Sequence, residues 1–130
     1  MAINTAGQTL TGNTAPYDAP KNKVGRNVFD ATSITAADST LVSLGFTPKY
    51  VVWENVTDRV KIEWYEGMAA NTSIKTVAAG TRTLETTNGG ITICDSDGAA
   101  NVNGKCFSVL QNATLAAILA SKVCTWMAQG

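Results

Sequence analysis

The sequence predicts an all-β protein: an antiparallel β-sandwich or jelly-roll-like barrel with an extended N-terminal arm and at most one short helix. Three observations carry this. In the run from Arg59 to Tyr65, Val60, Ile62 and Trp64 fall on one face while Arg59, Lys61, Glu63 and Tyr65 fall on the other, the period of a half-buried strand. Short β-branched runs alternate with turn residues through the rest of the chain, at the spacing of about seven or eight strands. One stretch alone, Asn112 to Ala120, is rich in helix formers, and it is short.

Residues 1–27 read as the arm and residues 28–130 as the sandwich domain. Ala2 to Lys23 mixes Thr, Asn, Gly and Gln with Pro16 and Pro20 and shows no apolar period, so it cannot bury enough surface to offset its ordering entropy. It is either a frayed terminus or an arm that orders against a neighbouring subunit. Its low charge favours the second. Val28 and Phe29 start a short strand, and Ser39 to Leu44 alternates before Gly45 breaks it. Pro48 lacks an N–H and so belongs at a strand start. Strands follow at Lys49–Glu54 and Arg59–Tyr65, joined by a turn of Asn55, Thr57 and Asp58, with Glu54 set against Arg59 or Lys61. Ile74–Ala78 and Arg82–Thr86 pair around Gly80. Asn88-Gly89-Gly90 is a turn because these residues accept positive φ cheaply. Ile91–Cys94 and Cys106–Leu110 flank a loop from Asp95 to Lys105. Residues 112–120 stay open: Asn112 as an N-cap with Leu115, Ile118 and Leu119 on one face suits a helix, but the stretch is short for one. Lys122–Ala128 closes the sheet, with Val123, Thr125 and Met127 opposite Cys124 and Trp126.

The 130 residues suit one domain. Charged residues make up only 15%, ten basic against ten acidic, so the polar surface comes from Thr, Ser, Asn and Gln. A net charge of zero makes association easy and leaves no basic excess for nucleic acid or an anionic membrane. The start lacks the basic and apolar pattern of a signal peptide, and no apolar run reaches the ~20 residues of a membrane span. The expectation is a soluble chain made in the cytosol. Its Asn-x-Ser/Thr sites at Asn55, Asn71 and Asn112 then read as polar turns. Cys94, Cys106 and Cys124 lack metal-site spacing and read as three reduced, buried thiols, with one disulfide plus a leftover thiol as the alternative.

Candidate chemistry is sparse, and no catalytic, cofactor-binding or metal residue is assigned. The chain contains no His, which excludes Ser-His-Asp and Cys-His devices. Glu63 with Glu66, or Asp95 with Asp97, are the available acid pairs, and both read as solvated surface acids. Asp95 to Asn103 clusters oxygen ligands like the start of a calcium loop. Gly98 stands fourth, however, and Cys106 holds the twelfth position that needs Glu. Asn88-Gly-Gly lacks the Lys-Ser/Thr of a phosphate loop. Trp53, Trp64 and Trp126 at strand positions read as core, with a stacking platform for sugars or bases as the alternative.

Gly45-Phe-Thr-Pro-Lys-Tyr-Val51, the Asn55-Val-Thr-Asp-Arg turn and Glu63-Trp-Tyr-Glu-Gly-Met68 resemble small virion proteins of tailed bacteriophages, in the capsid decoration (cement) class. The Asn88-Gly-Gly-Ile turn and Thr125-Trp-Met-Ala128 fit the same layout, so the likeness covers roughly residues 40–128. Related layouts occur in phage tail or fibre components. The resemblance implies a sandwich subunit on the outside of an icosahedral shell. There it would bind the major capsid protein, staple capsomers and act as a trimer or dimer, with no enzyme activity, cofactor, nucleic acid or membrane partner. The three Cys depart from the family's pattern and admit covalent links between subunits. A second reading is a tail, fibre or head-spike module that recognises a host glycan through exposed aromatics; burial of all three Trp discriminates against it. A third, a small hydrolase, requires two acids sharing a cleft about 5–10 Å apart.

Overall fold

The computed structural model describes residues 21–36, 38–93 and 105–130. Among these residues nine strands form two antiparallel sheets that face each other as a sandwich: β1 (Asn22–Val28), β2 (Ser39–Ser43), β3 (Tyr50–Asn55), β4 (Val60–Tyr65), β5 (Ser73–Thr76), β6 (Arg82–Glu85), β7 (Ile91–Ile93), β8 (Cys106–Leu110) and β9 (Val123–Gln129). The larger sheet has the order β1-β9-β3-β4-β5-β6 and the smaller β2-β8-β7.

The β3–β4 hairpin sets the frame. Tyr50 pairs with Tyr65, Trp53 with Ile62 and Asn55 with Val60, which leaves Val56 to Arg59 as the turn. Arg59 closes it at φ 59°, in the left-handed region. Glu54 lies opposite Lys61, one of its two expected partners. Val51, Trp53, Ile62 and Trp64 point into the sandwich, where they meet Val42, Ile91, Phe107 and Val109 of the smaller sheet. Edge-to-face contacts link the layers: Phe107 packs against Trp53 at 6.4 Å and against Trp126 at 5.6 Å between ring centroids. Such pairs add about 0.5–1.5 kcal/mol each beyond area burial.

The arm is shorter than composition suggests. β1 spans Asn22–Val28 and pairs along its whole length with β9. Gly25 stands opposite Trp126, and a Cβ at Gly25 would overlap the indole. The indole N–H donates to Asn27 Oδ1 at 3.1 Å. A sequence window with one apolar residue in four hides this strand, because its inner face is glycine and asparagine roofed by another strand's tryptophan. Residues 1–20 of the segment expected as the arm lie outside the described residues.

The segment 112–120, which the sequence leaves open, forms turns rather than a helix. Asn112 does cap a turn, its Oδ1 accepting from the N–H groups of Thr114 and Leu115, and Ala116 N–H reaches the Asn112 carbonyl. Ala116 then takes φ 61° and the helix ends. The reason is tertiary. The Ala116 carbonyl accepts from the Asn55 amide at 3.1 Å, and the Ala117 carbonyl accepts from Trp53 Nε1–H at 2.9 Å and from the Cys124 thiol at 3.4 Å. Buried donors on the sheet claim carbonyls that a helix would have kept, and an unmet buried donor costs more than a helical turn gains. Leu115 and Ile118 still fill the end of the core.

Candidate functional site

The alternation that buries Val51, Trp53 and Ile62 turns their neighbours to the opposite face of the six-stranded sheet, away from the smaller sheet. Val24, Met127, Val52, Glu63, Ile74 and Leu84 stand side by side across its six strands. At the usual strand spacing this row is roughly 25 Å wide. Val24 is 76% exposed and Leu84 63%, while Met127, Val52 and Ile74 are half-buried. The adjoining row reads Arg26, Thr125, Glu54, Lys61, Thr76 and Arg82. The face is thus one apolar stripe beside one charged stripe.

Glu63 interrupts the apolar stripe, and it is the main surprise. Sequence reading makes it a solvated acid; instead it is 7% exposed. Tyr50 and Tyr65 both donate their hydroxyls to Glu63 Oε2, at 3.0 and 3.1 Å. Lys61 Nζ and Arg82 Nη2 each lie 3.7 Å from Oε1. The hairpin register explains this: Tyr50 faces Tyr65, their rings 4.8 Å apart, and Glu63 shares their side two positions away. Burial, and next the hydrogen bond to the Glu63 carboxylate, hold the Tyr50 phenol well above its usual pKa of 10.0, so it stays a donor across the physiological range. The Thr76 hydroxyl, between Lys61 and Arg82 in the charged row, is buried without a hydrogen-bond partner among the described residues. The register was within reach of the sequence once the turn was placed at 56–59; the two tyrosines and the acid were the signal.

Other expected residues separate. Glu66 is exposed while Glu63 is covered, so this pair does not act as matched surface acids. Asp95, Asp97 and the calcium-like loop lie outside the described residues, as does Cys94. The three reduced thiols are corrected in one respect. Cys106 is disulfide-bonded, whereas Cys124 is a free, fully buried thiol. Burial pushes the Cys124 thiol up to about 11.

Trp53 is fully buried and Trp64 nearly so. Trp126 is half-buried, its edge bonded to Asn27 and its ring against Phe107, which leaves no open tryptophan platform. A polar cleft of about 450 Å³ lies elsewhere, walled by Ser39, Asn71, Asn88, Thr92 and Asn112. Asn71 and Thr92 already spend side-chain atoms on backbone partners there.

No known protein-family model matches the chain, nor does any of the curated proteins or solved structures compared with it. The resemblance to decoration proteins rests on the residues quoted for it.

Proposed function

We propose that this chain is a structural virion protein that lays the outer face of its six-stranded sheet on the outside of a phage capsid, binds the major capsid protein and stabilises contacts between capsomers. What carries the reading is that face: an apolar stripe of Val52, Ile74 and Met127 beside Tyr50, Tyr65 and Arg82. Tyr, Met and Arg are the residues enriched where proteins dock, and the tyrosines come pre-oriented by Glu63, so little side-chain entropy is lost on binding. Weak contacts repeated over a shell act as a tethered set, and binding only the mature lattice stabilises it by mass action. The expected residence is the capsid surface.

The test is co-sedimentation of the purified chain with mature shells. Tyr65→Ala combined with Ile74→Lys should lower occupancy at least about tenfold, because central anchors cost over 1 kcal/mol each. Full occupancy by that variant would overturn the reading. The polar cleft near Asn88 and Asn112 is the feature a glycan-recognising tail or fibre module would use. Saturable glycan binding lost on Asn88→Ala would favour that second reading.

A further inference from the structure

The two ends of the large sheet are unlike each other and fit each other. β1 and β6 are its edges, and among the described residues no strand pairs with their outer sides. A bare edge offers a row of N–H and C=O groups to another chain unless charge, proline or a bulge blunts it. Among the described residues the three most exposed large apolar side chains, Val24, Val28 and Leu84, all sit on these two edge strands.

We propose that copies of this chain associate head to tail, the outer edge of β6 in one copy pairing antiparallel with the outer edge of β1 in the next. This does not depend on the capsid reading. Every pairing in the sheet is antiparallel, so across six strands β1 and β6 run in opposite directions. A second copy placed beside the first therefore meets it with the right polarity for an antiparallel ladder. Extending the apolar stripe into the next copy sets Leu84 opposite Val24. That register then sets Glu85 opposite Lys23, an opposite-charge pair on the inner side. It also sets Arg82 directly opposite Arg26, a like-charge pair in which the Arg82 charge is answered by Glu63 at 3.7 Å.

Pairing of like edges fits less well. The stretch Lys21 to Val28 holds Lys21, Lys23 and Arg26 with no acid. A two-fold β1–β1 ladder with Val24 against Val28 places Arg26 against its own copy with no acid on either strand, whereas Arg82 of β6 brings Glu63 with it. A β6–β6 pair covers Leu84 and leaves Val24 and Val28 in water. Only the unlike pair covers both edges. Such an interface repeats, closing into a ring or running on.

Sedimentation equilibrium of the full chain tests this with two edge variants, Val24→Lys and Leu84→Lys. Both residues are largely exposed, so each variant keeps the fold, which far-UV circular dichroism verifies. The wild type should associate with concentration, and each variant alone should weaken association roughly tenfold or more. An equimolar mixture should form a species of two chains and stop there, because only the intact β6 of V24K and the intact β1 of L84K can meet. Self-association of L84K alone would indicate β1–β1 pairing, and of V24K alone β6–β6 pairing; either overturns the proposal, as does a wild type that stays monomeric throughout.

Discussion

Replacing Gly25 with alanine puts a methyl group where the Trp126 indole lies. The backbone there is ordinary, so the cost is steric and falls on the tryptophan. Forcing an extra methyl into a filled site costs about 1–3 kcal/mol. The displaced indole also gives up its bond to Asn27 Oδ1 and its edge contact with Phe107. Those add roughly 1 kcal/mol and about 0.5–1.5 kcal/mol. Partial relaxation brings the expected loss to about 2–4 kcal/mol. Urea unfolding followed by far-UV circular dichroism reads this as a lower midpoint at constant slope. The control is a double-mutant cycle. In a Trp126→Leu background the indole is gone and glycine's own strand penalty remains, so Gly25→Ala should cost almost nothing or stabilise slightly. A Gly25→Ala variant as stable as wild type, or one equally damaged with and without Trp126, would refute the packing of β1 under β9.

Four further outcomes follow from the same contacts. Asn55→Ala removes a fully buried amide that bonds Asp58 at 3.0 and 3.1 Å and Ala116 at 3.1 Å, and should cost about 2–4 kcal/mol in the same unfolding assay. Cys124 should resist a thiol reagent at neutral pH and react only as the chain unfolds, as a fully buried thiol held up to about 11 requires. Burial raises both Cys124 and Tyr50 above their ordinary values of 9.0 and 10.0, so the unfolded chain loses these protons first. Their stabilising contribution is therefore whole at neutral pH and declines from about pH 9 upward, so an unfolding midpoint flat to pH 11 would contradict the burial. Deleting residues 2–28 removes β1 and should lower the thermal midpoint sharply.

Strands whose side chains carry the alternation were legible: β8 matches its expected bounds, and β2, β3, β4 and β9 lie within a residue or two. The hairpin turn and the parity of Val123 to Met127 were equally plain. β1 was not, because its inward residues are Gly25 and Asn27 and its burial is supplied by Trp126, nearly a hundred positions away. The 112–120 segment stayed open for a related reason. Its local pattern is helical, but Asn55, Trp53 and Cys124 take the carbonyls at Ala116 and Ala117. On the outer face of the six-stranded sheet, the apolar alternation was visible, while the burial of Glu63 was not. A carboxylate in a strand looks solvated until the register brings Tyr50 across to it.

The most direct trial of the proposed docking face is a density map of mature phage shells incubated with the purified chain. The account expects the six-stranded sheet to lie against the shell with Tyr65, Ile74 and Arg82 at the contact and the β2-β8-β7 sheet turned outward. A map that shows those three side chains in solvent, or a shell that takes up no chain at all, would contradict it.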